Sequence, residues 1–365
     1  MNILMVCGRT GGHIKNAVNL AKYLKEREKN IVIQFILPVD VDLGGIIEKE
    51  GFSYFLLPIK APPVRFGVGY IIFITKLLIS FVKSVIILER TKPDLIISFG
   101  SYSCFPIVIA ASIRLPKIPL IFHEQNVIPG KTNLFLSRLA DRVAVAFEET
   151  GRYFKRKAYY TGNPLESNIF DLSKEEAIKS LELDQEKFTI LITGGSQGSD
   201  FLNNLMIEVF KKIPNSIKED LQVIHLAGRR HLASVKSRYQ DVNVKNVKVF
   251  GFLEEMEEAL KCSDLIISRA GAMTLAEITA LGKPAILIPY PYARGHQREN
   301  AEYLSNKNAA LVFNQKDLNP DIFSKSLLDL IKNKRRLTEM AISSRRLGVF
   351  DSNERFYNLI HEVVR

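Results

Sequence analysis

Short apolar runs and amphipathic stretches alternate along the chain. Asn2–Cys7 and Ile31–Leu37 are mostly apolar and of strand length, and between them His13 to Arg27 carries Ile14, Val18, Ala21 and Leu24 on one helical face. Leu95–Phe99, Pro119–His123 and Arg142–Ala146 predict further strands. Gly162-Asn163-Pro164 interrupts the pattern as a turn and breaker cluster. It then restarts, with strands predicted at Phe188–Thr193, Leu221–Leu226, Val247–Phe250, Asp264–Ser268 and Ala285–Ile288. Strands alternating with helices predict parallel sheets covered on both faces, an α/β fold. Two such sets predict two Rossmann-like domains, 1–161 and 162–345.

Val68–Leu88 stands apart, almost wholly apolar and broken by Lys76 and Lys83. Each lysine near a bilayer centre costs about 2.5–3.5 kcal/mol, which argues against a membrane span. An amphipathic helix flanked by Lys60, Arg65, Arg90 and Lys92 accounts for the pattern, either buried in a domain or lying at an interface. Charge favours the interface. The chain has 50 basic and 39 acidic side chains, net +11; residues 1–161 hold 22 and 12, residues 162–365 hold 28 and 27. An excess confined to the first half predicts an anionic partner there: nucleic acid, a phosphorylated substrate or a membrane surface. With 47% hydrophobic and 24% charged residues the chain is an ordinary globular one, which excludes disordered and collagen-like classes. Cys7, Cys104 and Cys262 form no CxxC pair and predict buried thiols in a reducing compartment. No charged n-region or cleavage site precedes the first strand, so the sequence predicts a cytoplasmic protein.

Chemistry concentrates where strands turn into helices. Gly8-Arg9-Thr10-Gly11-Gly12-His13 and Gly194-Gly195-Ser196-Gln197-Gly198 lack side-chain bulk at equivalent places in the two sets. Such turns let backbone N–H groups and a helix dipole meet a phosphate; each alone is also simply a tight turn. The first is not GxGxxG, although Asp40 imitates the ribose acid of the dinucleotide fingerprint. Gly130-Lys131-Thr132 ends like a Walker A loop, but Gln125 stands at the required glycine, and Asp40-Val41-Asp42 is too short a pattern to carry a metal assignment. The six histidines show no zinc spacing and there is no GxSxG elbow, so no metal or cofactor is predicted. His123-Glu124-Gln125-Asn126 brings four polar groups to a strand end, as buried loop capping or as a substrate contact. Gly271 to Glu277 puts a glycine turn at a helix start with a carboxylate one turn on, either solvated or placed for a ribose diol. Gly295-His296-Gln297-Arg298-Glu299-Asn300-Ala301 opens another helix with a dense polar cluster.

GRTGGH, HEQNVIPGKTN, TGNP, GGSQGS, RAGAMTLAEI and GHQRENA, in this order and spacing, resemble the MurG family of UDP-N-acetylglucosamine transferases of peptidoglycan synthesis. The resemblance runs from Asn2 to about Ala301 and more loosely onward. It implies the GT-B fold, two Rossmann-like domains around a cleft, with the last helix, about 350–365, returning to the first. It implies an inverting transfer of GlcNAc from UDP-GlcNAc to the MurNAc C4 hydroxyl of undecaprenyl-pyrophosphoryl-MurNAc-pentapeptide, by a peripheral enzyme at the anionic cytoplasmic face of the cell membrane. Donor-binding positions fall on Thr10, Gly11, Gly12 and Asn126, then on Ser196, Leu253, Ala272, Met273, Thr274, Leu275, Ala276, Glu277 and Gln297. Glu277 would take the ribose, Ser196 the phosphate and Leu253 the uracil by its backbone. His13 is the candidate general base, or else orients its loop. Glu166 departs from the family, which carries a nucleotide-contacting arginine there, and Ser98–Ser103 is poorer in glycine than usual. The competing readings are a GT-B transferase acting on diacylglycerol, a UDP-GlcNAc epimerase, a nicotinamide-dependent oxidoreductase and a non-catalytic lipid-precursor binder.

Overall fold

A computed structural model describes residues 1–9, 11–39, 44–59, 63, 67–292 and 295–364. Thr10, Asp40, Val41, Asp42, Lys60 and Arg65, all singled out above, lie outside the described residues. The chain divides into two compact units, Met1–Ser167 with Asp351–Arg365, and Asn168–Phe350. The boundary falls a few residues beyond the Gly162-Asn163-Pro164 turn.

The first unit holds a seven-stranded parallel sheet of β1 (Asn2–Val6), β2 (Val32–Pro38), β3 (Ser53–Leu57), β4 (Leu95–Ser98), β5 (Leu120–Glu124), β6 (Arg142–Val145) and β7 (Ala158–Tyr160), in the order β3-β2-β1-β4-β5-β6-β7. Period-two alternation sorts its side chains into two apolar layers. Ile3 and Met5 face Ile14, Leu20 and Leu24 of the Gly11–Arg27 helix, together with Phe356, Leu359 and Ile360 of the last helix, Ser352–Val364. Leu4 and Val6 face the other way, towards Ile87, Leu88, Ile107 and Val108. The last helix is thus docked on the first unit by side chains each worth about 1.5–3 kcal/mol of burial.

The second unit repeats the plan with six strands: β8 (Phe188–Thr193), β9 (Leu221–Leu226), β10 (Val247–Phe250), β11 (Leu265–Ser268), β12 (Ala285–Leu287) and β13 (Ala310–Val312), in the order β10-β9-β8-β11-β12-β13. In both sheets the chain winds outward on one side of the first strand and returns on the other. This leaves a topological switch point between β1 and β4, and another between β8 and β11, where ligands of such sheets bind.

The apolar segment forms one helix, Val68–Thr91, long and apolar enough to cross a membrane. It is nonetheless the crossover between β3 and β4, packed on the Phe105–Ser112 helix. Ser80, Ser84, Ile87 and Leu88 are buried, while Val68 (74% exposed), Ile71, Ile72, Leu78, Val82 and Ile86 face solvent. A fully buried domain helix, one of the two sequence alternatives, is not what forms.

Candidate active site

At the first switch point, β1 runs through Cys7 and Gly8 into the Gly11–Arg27 helix, whose first turn has no acidic residue to repel an anion. A side chain on Gly8 would collide with His13 Nδ1 and sit 2.7 Å from Ser101 Cβ, so only glycine lets the His13 ring fold back over the loop. From the β4 side comes Gly100-Ser101. Ser101 holds φ 82°, a left-handed region that favours glycine, where the family's richer glycine content is missing. Arg9 reaches over to donate to the Tyr102 hydroxyl at 3.1 Å.

The HEQN segment splits in two. His123 and Glu124 are buried, while Gln125 and Asn126 emerge at the surface. His123 lies against Phe99 and Phe356, with ring centroids 5.5 and 5.7 Å away. Burial pushes its pKa down to about 3, against a backbone hydrogen bond at Gly162, and nearby His13 lowers it further. It is a neutral core histidine. The Glu124 carboxylate accepts hydrogen bonds from Asn126 N and Nδ2 (3.0 and 3.2 Å), Gly130 N (3.1 Å) and Asn133 Nδ2 (2.7 Å). Burial raises its pKa and these four bonds pull it back. Glu124 therefore sets the shape of the loop from which Asn126 projects. Gln125 Oε1 receives Asn16 Nδ2 at 2.9 Å and covers Gly12.

Glu166 is engaged locally. Lys22 binds its carboxylate and lies 3.5 Å from Glu50. Partial burial opposes the Lys22 charge, but the Glu166 hydrogen bond and the two carboxylates outweigh it and hold the amine above its ordinary value.

At the second switch point, β8 leads through Gly194–Ser199 into the Asp200–Lys212 helix, capped by Ser199 Oγ accepting from Leu202 N. Any side chain on Gly198 (φ 74°) would strike the Ala227 carbonyl, so this loop and the one after β9 meet backbone to backbone. Ala227 is itself fixed. Asn203 Nδ2 donates to its oxygen at 3.0 Å, so Asn203 Oδ1 accepts from His225 Nε2 (3.0 Å) and His225 Nδ1 accepts from the Tyr239 hydroxyl (2.8 Å). Burial pushes His225 down to about 3, neutral as this chain of bonds requires.

Ser196 is exposed at the loop tip, and Leu253 is half-buried just after β10, next to exposed Phe252, which carries the Arg229 guanidinium 5.2 Å above its ring. The Ala272–Ala280 helix starts at Gly271, and no side chain caps its first turn. Ala272, Met273 and Leu275 are buried, and Thr274 and Ala276 half-buried. Glu277 is only 6% exposed. This removes the solvated-charge alternative. Gln297, in the first turn of the His296–Ser305 helix, accepts the Tyr290 N–H on Oε1 at 2.9 Å. Among the described residues no group of three or more His, Cys, Asp or Glu side chains is arranged as a metal site.

The structure gathers Gly11, Gly12, His13 and Asn126 at one sheet edge, and Ser196, Ala272–Glu277 and Gln297 at the other, while Leu253 lies at the end of β10 beyond β9. Arg269, the first residue after β11, was not among the residues expected at the site; it is buried, donating Nη1 to the Ile288 and Pro289 carbonyls (3.0 and 3.4 Å) and Nη2 to Ser199 Oγ (2.8 Å). An arginine directly after an apolar strand, at the opening of the RAGAMTLAEI motif, was the available signal.

Residues 3–145 match the glycosyltransferase family 28 N-terminal domain and residues 189–363 its C-terminal domain. The chain is 37% identical over its full length to the UDP-N-acetylglucosamine–N-acetylmuramyl-(pentapeptide) pyrophosphoryl-undecaprenol N-acetylglucosamine transferase of Halothermothrix orenii, of which it covers 100%. It is 32% identical to the enzyme of the same name from Acetivibrio thermocellus, covering 99% of it. The chain belongs to glycosyltransferase family 28. Within that family it groups with MurG: the crystal structure of Acinetobacter baumannii MurG superposes with a TM-score of 0.77 at 27% identity, over 99% of both chains. This family 28 glycosyltransferase thus has the GT-B architecture expected from its motifs.

Proposed function

We propose that this glycosyltransferase moves GlcNAc from UDP-GlcNAc to the MurNAc C4 hydroxyl of lipid-linked MurNAc-pentapeptide, forming lipid II. Full-length similarity to transferases named for that reaction carries the reading. The acceptor hydroxyl attacks the anomeric carbon, the bond to the UDP oxygen breaks, and an α-linked donor becomes a β-linked product. Catalysis then has two tasks: removing the hydroxyl proton and stabilising the departing diphosphate. His13 is assigned the first, because Gly8 leaves room for its ring at the end of β1, near a histidine that stays neutral. Backbone N–H groups of the Gly194–Ser199 loop and the positive end of the Ala272–Ala280 helix dipole are assigned the second. Glu277 takes the ribose diol, Leu253 the uracil, and Gly11, Gly12, Asn126 and Gln297 the rest of the donor. Thr10, outside the described residues, joins them. The expected result is stabilisation of the protein by UDP-GlcNAc and UDP but not by NAD; stabilisation by NAD alone would return the oxidoreductase reading.

The same proposal places the enzyme peripherally on the cytoplasmic leaflet. The exposed apolar side of Val68–Thr91, with Lys76 and Lys83 along one flank and Arg90 at its end, supports it. Each basic residue near an anionic surface contributes about 1 kcal/mol, lost as salt rises. Co-sedimentation with anionic vesicles at low salt should weaken on charge reversal at Lys76 and Lys83, with UDP-GlcNAc affinity unchanged. Wild type that ignores such vesicles would refute the placement.

A further inference from the structure

The loop after β9 is held backbone to backbone on both of its sides. Towards β8, a side chain on Gly228 (φ 91°) would strike the Gln197 carbonyl, just as one on Gly198 would strike that of Ala227. Towards β10, the Ala227 N–H donates to the Phe250 carbonyl at 2.9 Å. A side chain on Gly251 would begin 3.1 Å from Arg229 Cα. Ala227, Gly228 and Arg229 thus lie between two parts of the donor reading. One is the glycine-rich turn after β8, assigned to the diphosphate; the other is the end of β10 that leads to Leu253, assigned to the uracil.

A polar chain fixes this loop from within the core. His225 is fully buried, and Asn203 and Tyr239 are 3% and 5% exposed, Tyr239 packing with Phe210 and Val235. The Ala227 carbonyl only accepts, so Asn203 turns Nδ2 towards it and Oδ1 towards His225. That oxygen requires the proton on His225 Nε2, which leaves Nδ1 to accept from the Tyr239 hydroxyl. One tautomer satisfies every group. Apolar side chains of the same shape would fill this space with little or no loss of stability. Packing therefore does not account for the chain, whereas a fixed Ala227 does.

We infer that residues 227–229 are the spacer of the donor site, setting the span between the diphosphate and uracil positions, and that His225 is the positioning residue that fixes them. His225 acts through Asn203 and Ala227. The inference rests on the UDP-sugar reading above. A spacer matters to a ligand that engages both positions at once, so UDP depends on it and uridine alone does not.

Binding of UDP and of uridine, measured by calorimetry and ligand-observed NMR, tests this on wild type, His225→Phe, His225→Gln and Gly228→Ala. His225→Phe removes both bonds of the ring and is expected to lose at least tenfold in UDP affinity and less than twofold in uridine affinity. Glutamine can donate to Asn203 and accept from Tyr239, so His225→Gln should recover most of the loss; no recovery would overturn the role of the hydrogen bonds. Equal losses for UDP and uridine in His225→Phe would reduce His225 to a structural residue, and unchanged UDP affinity would overturn the inference outright. If that variant does not fold, Gly228→Ala, which wedges the two loops apart, decides by the same criterion. A loss confined to UDP supports the spacer, and an equal loss or none overturns it. Wild type that binds no UDP would instead bring down the donor reading, a failure seen before any variant is compared.

Discussion

The two units share a parallel sheet, a switch point and a glycine-rich turn, yet they use that turn differently. In the first, the loop after β1 is covered by titratable and polar side chains, His13, Gln125 and Arg9 among them, and the outer helix presents apolar surface flanked by basic residues. In the second, the loop after β8 is pinned by backbone contact at Ala227 and by one buried arginine, and the residues as a whole are nearly charge-neutral. On the proposal above, a common scaffold carries the candidate base in one half and the diphosphate-binding turns in the other. The distinction lies in which side chains follow each strand, not in the strands.

The sharpest way to break that division is at His13. His13→Ala should lower turnover by about 10²–10⁴ while leaving UDP-GlcNAc affinity largely intact. A loss below tenfold in a folded variant would leave the first edge without its base. Glu277→Gln addresses the other edge and should weaken UDP-GlcNAc by about 1.5–3 kcal/mol, the scale of hydrogen bonds to a charged group. Calorimetry showing unchanged affinity would detach Glu277 from the ribose.

The comparison also has a shared element, since each unit buries one neutral histidine, His123 and His225, both with pKa near 3. Unfolded histidine binds a proton near pH 6.5, so the unfolded state gains protons first as pH falls. This stability is complete above pH 6.5 and erodes from there towards pH 3, by about 2 kcal/mol per histidine at pH 5. Denaturant melts from pH 7.5 to 5 should show it, and His123→Phe should flatten the slope for the first unit alone. An unchanged slope would mean that His123 does not titrate on unfolding as described.

How far the sequence foretold this depends on locality. Central strands announced themselves as apolar runs, whereas β3, β7 and β13 did not; each is an edge strand, and β7 and β13 have three residues apiece. An edge strand gains pairing on one side only, so its sequence carries less apolar pattern. The glycine turns were legible because the constraint sits within a few residues. The fate of His123 was not, because the ring that buries it, Phe356, lies 233 residues further on. Arg269 escaped notice for a related reason: its meaning comes from Ser199, Ile288 and Pro289, which are remote in sequence. Glu166 was legible only as a departure from the family, and its local pairing with Lys22 needed coordinates.

The smallest expected effect concerns the first edge. Ser101 is held at φ 82°, so Ser101→Gly should stabilise the first unit by about 1 kcal/mol after the entropy cost of glycine. Thermal melts giving no gain or a loss would show that the serine side chain compensates its own backbone strain.

The transfer reaction itself is directly measurable. Purified protein supplied with UDP-GlcNAc and the lipid-linked MurNAc-pentapeptide should release UDP in step with formation of a GlcNAc–MurNAc product, β-linked at C4 by NMR. An α-linked product, conversion of the donor without acceptor, or no transfer by the folded protein would contradict it.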